Sequence, residues 1–248
     1  MSILLEICAD SVESAVIAQE AGADRVELCS SLVEGGLTPS YGTIASARSN
    51  LSITLHVLIR PRGGDFLYSD EEFDIMRRDI EMCGELGVDG IVTGVLRSGG
   101  TIDTDRTSRL IEIAYPMKVT FHRAFDLCSD PVDGLEDVIA AGADRLLTSG
   151  MKNKAVDALE TIRQFIIQAG NRLIIMPGGG IDDTNIVRLI EATGAKEVHL
   201  SGRKEIESDM IFRRKDINLG SAGTSSEFTR KIADFEKITG IKALIKMF

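Results

Sequence analysis

Short runs of apolar and β-branched residues recur along the chain, and longer amphipathic stretches separate them. The runs predict eight strands, at residues 3–8, 25–29, 53–59, 90–95, 118–123, 145–149, 172–177 and 197–201. Apolar positions at helical spacing predict helices at 11–20, 71–86, 103–115, 130–140, 155–169, 182–192 and about 225–239, with a weaker pattern at 40–47. Strands and helices in alternation are typical of βα units around a parallel sheet.

A five-residue joint repeats where four of the predicted helices end. Its copies are AGADR at 21–25, LGVDG at 86–90, AGADR at 141–145 and TGAKE at 193–197. The glycine supplies the left-handed backbone of a helix C-cap, and the residues after it lead directly into a strand. Four equivalent turns therefore support a regular βα repeat.

The length of 248 residues matches the roughly 250 residues of a closed α/β barrel. We therefore predict one domain over residues 1–248, an α/β fold in which eight parallel strands form a (β/α)8 TIM-like barrel. An open doubly wound sheet shows the same alternation and is the structural alternative. Eight regular units without a GxGxxG motif after the first strand favour closure, and no nucleotide cofactor is expected.

Composition narrows the classes of partner. The formal net charge of −10 would repel polyanions and anionic membranes, so neither nucleic acid nor a membrane is an expected partner. No apolar run approaches the roughly 18 residues of a spanning helix, and the first residues do not resemble a secretory signal, so a cytoplasmic location is expected. The oligomeric state stays open, with a homo-oligomer among the options.

Polar residues gather late in the predicted strands, where a barrel of this kind builds its active site. All three histidines of the chain, His56, His122 and His199, lie there. The first two strands end alike, in Glu6-Ile7-Cys8 and Glu27-Leu28-Cys29. Because side chains alternate along a strand, each glutamate shares a face with its cysteine.

Buried carboxylates require partners, and the expected ones are His56, Arg60, His122 and Arg123. Two interpretations follow. The groups form either a structural layer of ion pairs or a site for general acid–base chemistry. In the second case Glu27 and His122 are the first acid–base candidates, and the remaining candidates are Glu6, His56, Arg123 and His199.

Two loops have the composition of an anion site. The loop after the third strand carries Arg60, Arg62 and Asp65, and its guanidinium groups suit a carboxylate or phosphate unless they form only a salt-bridged surface loop. Gly178, Gly179 and Gly180 follow the seventh strand and Ser201 ends the eighth, where many barrels bind phosphate. A tight turn that binds nothing is the alternative. The long segment 203–224 is expected to be a lid or disordered.

The four cysteines, at positions 8, 29, 83 and 128, contain no CxxC pair. Each is a core thiol, a nucleophile or a ligand for a soft metal. Cys8 and Cys29 end adjacent strands near the histidines, and thiolate and imidazole are the ligands that Cu(I) prefers. They are therefore the candidate metal ligands, with Cu(I) as the candidate ion.

Several stretches together resemble the CutC family of copper homeostasis proteins. They are EICADSVESAVIAQEAGADRVELCSSLVEGGLTPSYG at 6–42, IRPRGGDFLYSDEE at 59–72, TFHRAFDLCSDP at 120–131, AGADRLLTSG at 141–150, MPGGGI at 176–181 and VHLS at 198–201. The resemblance implies a TIM-like barrel, a cytoplasmic protein and an association with copper binding or tolerance. It does not imply a reaction. The family's polar mouth falls on Glu6, Glu27, His56, Arg60, Arg62, Asp65, His122, Arg123, Asp126 and His199.

Two functional hypotheses remain at this point. The first is a copper-binding or copper homeostasis protein that uses thiols and imidazoles near the mouth. The second is a barrel enzyme that acts by acid–base chemistry on a small anionic metabolite, held by Arg60 and the 178–180 loop. Whether the chain is an enzyme stays open.

Overall fold

The computed structural model describes residues 3–214, 216–217 and 227–248. The strands of its larger sheet are β1 (Leu4–Ala9), β2 (Arg25–Leu28), β3 (Thr54–Leu58), β4 (Gly90–Thr93), β5 (Lys118–Phe121), β6 (Arg145–Thr148), β7 (Ile174–Pro177) and β8 (Glu197–Leu200). A second sheet pairs β9 (Arg203–Glu207) with β10 (Thr229–Ala233). The helices are α1 (Val12–Glu20), α2 (Tyr41–Asn50), α3 (Asp70–Glu85), α4 (Thr104–Ala114), α5 (Pro131–Ala141), α6 (Leu159–Ala169), α7 (Ile186–Thr193) and α8 (Phe235–Ile245).

All strands of the larger sheet are parallel, and each pairs with its neighbour in sequence, while β1 also pairs with β8. A single parallel bridge between Gly178 and His199 joins the two outer strands. The sheet is thus a nearly closed barrel surrounded by helices, and the predicted (β/α)8 fold is confirmed.

The repeated joints behave as the sequence predicts. Gly22, Gly87, Gly142 and Gly194 all have positive φ at the ends of α1, α3, α5 and α7. Helix starts are also set locally: at α3 the Ser69 hydroxyl accepts from the Glu72 N–H while the Glu72 carboxylate accepts from the Ser69 N–H, a capping box. Apolar side chains from the strands pack against the inner faces of the helices to form the core.

The end of the chain differs from the prediction. The last helix is Phe235–Ile245, not 225–239, because Thr229–Ala233 is a strand that pairs antiparallel with Arg203–Glu207. The first part of the predicted 203–224 lid is therefore one strand of a hairpin. Residues 215 and 218–224 of the predicted lid, and residues 225–226 of the predicted helix, lie outside the described residues. Among the residues that are described, no helix is long and apolar enough to cross a membrane.

Candidate functional site

The bottom of the barrel contains a layer of buried ion pairs. Arg25 on β2 donates from Nε to Glu6 and from Nη2 to Glu197, and Arg145 on β6 donates to Glu197 at 2.8 Å. Arg25 is only 2% exposed. Its guanidinium thus joins carboxylates from β1 and β8, which places a cation under the residues of the mouth.

The fifth residue of each joint explains why this layer forms. These residues are Arg25, Gly90, Arg145 and Glu197, which lie on β2, β4, β6 and β8. Barrel interiors are built from layers in which alternate strands contribute one residue each. The glycine of this set lies against the His56 ring, since a Cβ there would overlap the imidazole.

Glu6 connects this layer to the histidines above it. His199 Nδ1 donates to Glu6 Oε1 at 2.7 Å, and His56 Nδ1 lies 4.0 Å from Glu6 Oε2. Burial opposes ionisation of Glu6, but Arg25 and His199 together lower its pKa below the usual range. Burial also lowers the pKa of His56, to about 3, so this imidazole is neutral. Glu6 is therefore a carboxylate shared by one arginine and one imidazolium.

A cluster of Cys8, Glu27 and His199 lies at the top of the ion-pair network. One ligand atom of each lies within 4.8 Å of the others, and His199 Nε2 is 3.8 Å from Glu27 Oε2. Burial disfavours the charged imidazole, but Glu27 and Glu6 outweigh it and raise the pKa of His199 well above its usual range. Burial raises the pKa of Glu27, against the attraction of His199. The two groups therefore attract each other across 3.8 Å without a direct hydrogen bond.

The two cysteines predicted as metal ligands are neighbours. The Sγ atoms of Cys8 and Cys29 are 3.7 Å apart, and both thiols are free. The contact with Cys29, burial and the charge of Glu27 raise the pKa of the Cys8 thiol well above its ordinary value. Cys29 is fully buried against Leu58 and Val92. Cys8 therefore faces the polar cluster, while Cys29 supports it from the apolar side.

A cavity of about 350 Å³ opens above this cluster at the C-terminal ends of the strands. Of the residues predicted for the site, the cavity is lined by Cys8, Glu27, Arg60, His122, Arg123, Gly179, Gly180, His199 and Ser201. Glu6, His56, Cys29 and Gly178 lie in the wall or below the floor and do not line it. The barrel thus gathers one acidic, one thiol, two guanidinium and two imidazole groups around one space.

Arg60 is a buried cation without a carboxylate partner in the described part of the chain. It is 6% exposed and donates only to the backbone carbonyl oxygens of Glu34, Gly36 and Gly64, at 2.7–2.9 Å. Its Nε atom has no hydrogen-bond partner among the described residues, and none of their carboxylates lies within 4 Å. A buried charge of this kind favours an anion in the adjoining cavity.

His122 is a neutral imidazole with a defined tautomer. Its Nδ1 accepts from the Ala124 N–H at 3.2 Å, so the ring proton is on Nε2. Burial and then the charge of Arg60 lower the pKa of His122 to about 3. The Nε2–H group has no acceptor among the described residues. His122 is therefore a neutral hydrogen-bond donor at neutral pH and not a general acid that carries an extra proton.

Arg123 and Asp126 hold the loop after β6. Arg123 donates to Asp126 Oδ2 at 2.7 Å and to Ser149 Oγ at 2.7 Å, and the Thr148 hydroxyl donates to Asp126 Oδ1. Met151 lies in this loop with φ of 65°, a conformation that favours glycine. One carboxylate thus fixes the rim beside the glycine loop.

Arg62 and Asp65 lie away from the cavity. Arg62 is 37% exposed and pairs with Glu72 at 2.6 Å and with Asp65 at 3.0 Å, while its guanidinium covers the Tyr68 ring. This is the salt-bridged surface loop that the sequence left as an alternative. Of the two arginines predicted for the anion site in this loop, Arg60 lines the cavity and Arg62 does not.

Single motifs do not reveal the cross-barrel partners of the two glutamates. In the sequence, Arg25, Arg145 and Glu197 belong only to the repeated joints. The signal lies in the alignment of the four joints, because three of their fifth residues are charged, two arginines and one glutamate, at equivalent strand starts. Sequence position alone does not show that β2, β6 and β8 direct these side chains to the same layer.

Comparisons with known proteins agree with this architecture. The CutC family profile matches residues 3–204. A CutC protein from Chromobacterium violaceum is 48% identical over 242 residues, covering 98% of both chains, and a human protein named copper homeostasis protein cutC homolog is 45% identical over 98% of this chain and 89% of its own. The crystal structure of a CutC protein from Streptococcus agalactiae has a TM-score of 0.76 at 37% identity and covers 79% of this chain and 97% of its own.

Proposed function

The chain belongs to the CutC family, and on that premise we propose that it is a cytoplasmic copper homeostasis protein that binds Cu(I) at Cys8. The relatives that carry this name support the proposal. The observation on which it rests is the cluster of a thiol, an imidazole and a carboxylate at the cavity floor, with a second thiol 3.7 Å from the first.

The donor set fits a monovalent soft ion. Thiolate and imidazole are preferred ligands of Cu(I), so Cys8 and His199 would hold the ion and Cys29 is the nearest further thiol. The Glu27 carboxylate is a harder ligand, and without an ion it lies 3.8 Å from His199 Nε2. Binding requires the Cys8 thiol to lose its proton and His199 to become neutral. Copper would be the cargo of the protein and not part of a reaction step.

An anaerobic titration of Cu(I) against a chromophoric chelator tests the proposal. Mutation of a residue that only supports a metal ligand typically lowers metal affinity about 10- to 100-fold. Because Cys8 would be a ligand itself, we expect Cys8→Ser to lower the Cu(I) affinity by more than that. Cys83→Ser is the matched control, since Cys83 is a buried free thiol outside the cavity. Equal Cu(I) affinity of the parent and the Cys8→Ser, Cys29→Ser double variant would refute the site.

A second function, an enzyme acting on a small anionic metabolite, is favoured by Arg60. A buried guanidinium with no carboxylate is unnecessary for copper storage, whereas it suits a carboxylate or phosphate in the cavity. Glu27 and His199 would then move a proton, and the Nε2–H of His122 would donate to an oxygen of the substrate.

Proton chemistry can be detected before the substrate is identified. Small keto acids and sugar phosphates are incubated with the protein in deuterated water. NMR then follows the replacement of their carbon-bound hydrogen by deuterium. We expect Glu27→Gln to abolish the exchange and Cys83→Ser to retain it. Exchange that persists in Glu27→Gln would exclude Glu27 as the base.

A further inference from the structure

The loops after β7 and β8 present backbone N–H groups that have no acceptor among the described residues. The N–H groups of Gly180, Ile181 and Ser201 donate no hydrogen bond within residues 3–214, 216–217 and 227–248. All three residues line the mouth cavity. The Ser201 hydroxyl likewise has no partner in the described part of the chain. Unpaired amides beside a cavity are donors available to an anion.

The same residues also border a second space, which widens the site toward solvent. This groove of about 280 Å³ shares Gly180, Ile181 and Ser201 with the mouth cavity. Lys231 and Lys237 line it, and neither has a carboxylate within 4 Å among the described residues. Its other charged residues are Asp182, Arg203, Lys204 and Glu205, of which Arg203 pairs with Asp10 at 3.5 Å and Lys204 with Asp234 at 3.6 Å. Cations therefore outnumber carboxylates in the groove.

An independent observation points to a ligand in the joined space. Arg60 and His122 line the mouth cavity, are 6% and 5% exposed, and each has one nitrogen without a partner among the described residues. One is a cation and the other a neutral donor. Unpaired donors thus lie in the wall of the deep cavity and in the outer loops, without an acceptor among the described residues.

We propose that this space binds a phosphate ester, with the phosphate at the amides of Gly180, Ile181 and Ser201 and the rest of the molecule toward Arg60 and His122. The phosphate has the acceptor oxygens and charge that three amides and two flanking lysines suit. The proposal rests on the second function proposed above only for the direction of the ester. The phosphate subsite itself does not depend on turnover or on copper.

Binding of inorganic phosphate and of glycerol 3-phosphate, measured by calorimetry at constant ionic strength in chloride, tests the subsite. Ser201→Asp and Lys237→Glu bring a negative charge to the groove, and we expect each to weaken phosphate binding at least about tenfold. Lys246→Glu is the matched control, because this exposed lysine lies outside both spaces, and it should bind as the parent does. Lys237→Glu decides the matter if Ser201→Asp does not fold.

The outcomes separate the subsite from the functions proposed above. No saturable phosphate binding by the parent, or unchanged binding in Lys237→Glu, overturns the subsite. Tighter binding of the ester than of phosphate, with the gain reduced in Arg60→Lys, supports the orientation, and equal affinities overturn it. Cys83→Ser changes a buried thiol outside both spaces and should bind phosphate like the parent. If the protein binds phosphate but catalyses no hydrogen exchange, the phosphate subsite is supported and the proposed enzyme function is contradicted.

Discussion

Removing the Arg25 guanidinium should destabilise the barrel strongly, and Arg25→Met does so with little loss of apolar volume. Arg25 is 2% exposed and holds two buried carboxylates, Glu6 and Glu197. The variant leaves Glu197 with Arg145 and Glu6 with His199, so each carboxylate keeps one partner. Breaking a buried ion pair on one side costs about 3–5 kcal/mol when the remaining charge is left unpaired, and because each carboxylate here keeps one partner we expect a loss at the low end of this range at pH 7.

The assay is equilibrium unfolding in urea followed by far-ultraviolet circular dichroism, since the chain has no tryptophan. Arg172→Met is the matched control, because Arg172 makes two hydrogen bonds to Glu136 but is half exposed, and we expect it to change stability little. A loss below about 1 kcal/mol in Arg25→Met would refute the assignment of the buried network.

Acidification gives a second check of the same variant. The folded-state pKa of Glu6 is lowered, so the stability that its ionised form contributes is present above the ordinary value of 4.5 and is lost as the pH falls through the folded-state pKa. The difference between parent and Arg25→Met should therefore shrink as the pH falls below 4.5. A difference that grows on acidification would contradict the role of Glu6.

Three further predictions concern single residues of the barrel. His122 has a folded-state pKa of about 3 against 6.5 for a free imidazole, so on acidification the unfolded chain binds the proton first and stability is lost as the pH falls from 6.5 toward 3. In urea unfolding at a series of pH values, His122→Asn should lose less stability over this range than the parent. An equal dependence of stability on pH in the two proteins would be the contrary result. Gly90→Ala places a Cβ 2.8 Å from the Lys118 carbonyl oxygen and should destabilise the protein by about 1–3 kcal/mol. Gly240→Ala in α8 meets no atom within 4 Å and should stabilise it by about 0.5–1 kcal/mol. Thermal unfolding that ranks the two variants in the reverse order would refute the close packing at Gly90. Met151→Gly should raise the unfolding temperature, because glycine adopts φ of 65° without the cost that methionine bears, and a lower temperature would contradict this.

The fold was predictable because its signals are local and repeated. Alternating runs and the four glycine joints specify eight βα units, and the structure has them in that order. The last helix was misplaced because Thr229–Ala233 has three polar residues followed by two apolar ones and lacks the alternation that identifies a strand. Its partner Arg203–Glu207 is rich in charge, which resembles a loop when the hairpin partner is unknown.

The site was predictable in composition more than in geometry. The rule that strands end at the mouth selected Glu27, Arg60, His122 and His199, and the structure places them around one cavity. Distances that depend on how far the barrel closes did not follow from sequence. The cross-barrel pairing of Arg145 with Glu197 joins residues 52 positions apart, and only the three-dimensional register brings them to 2.8 Å.

The most direct test of the copper proposal is the position of the ion itself. Crystals loaded anaerobically with Cu(I) and measured on both sides of the copper absorption edge would show one anomalous peak. The account predicts that peak between Cys8 Sγ and the His199 imidazole, and predicts its loss in Cys8→Ser. A peak at Cys83 or Cys128, or a peak that survives in Cys8→Ser, would contradict it.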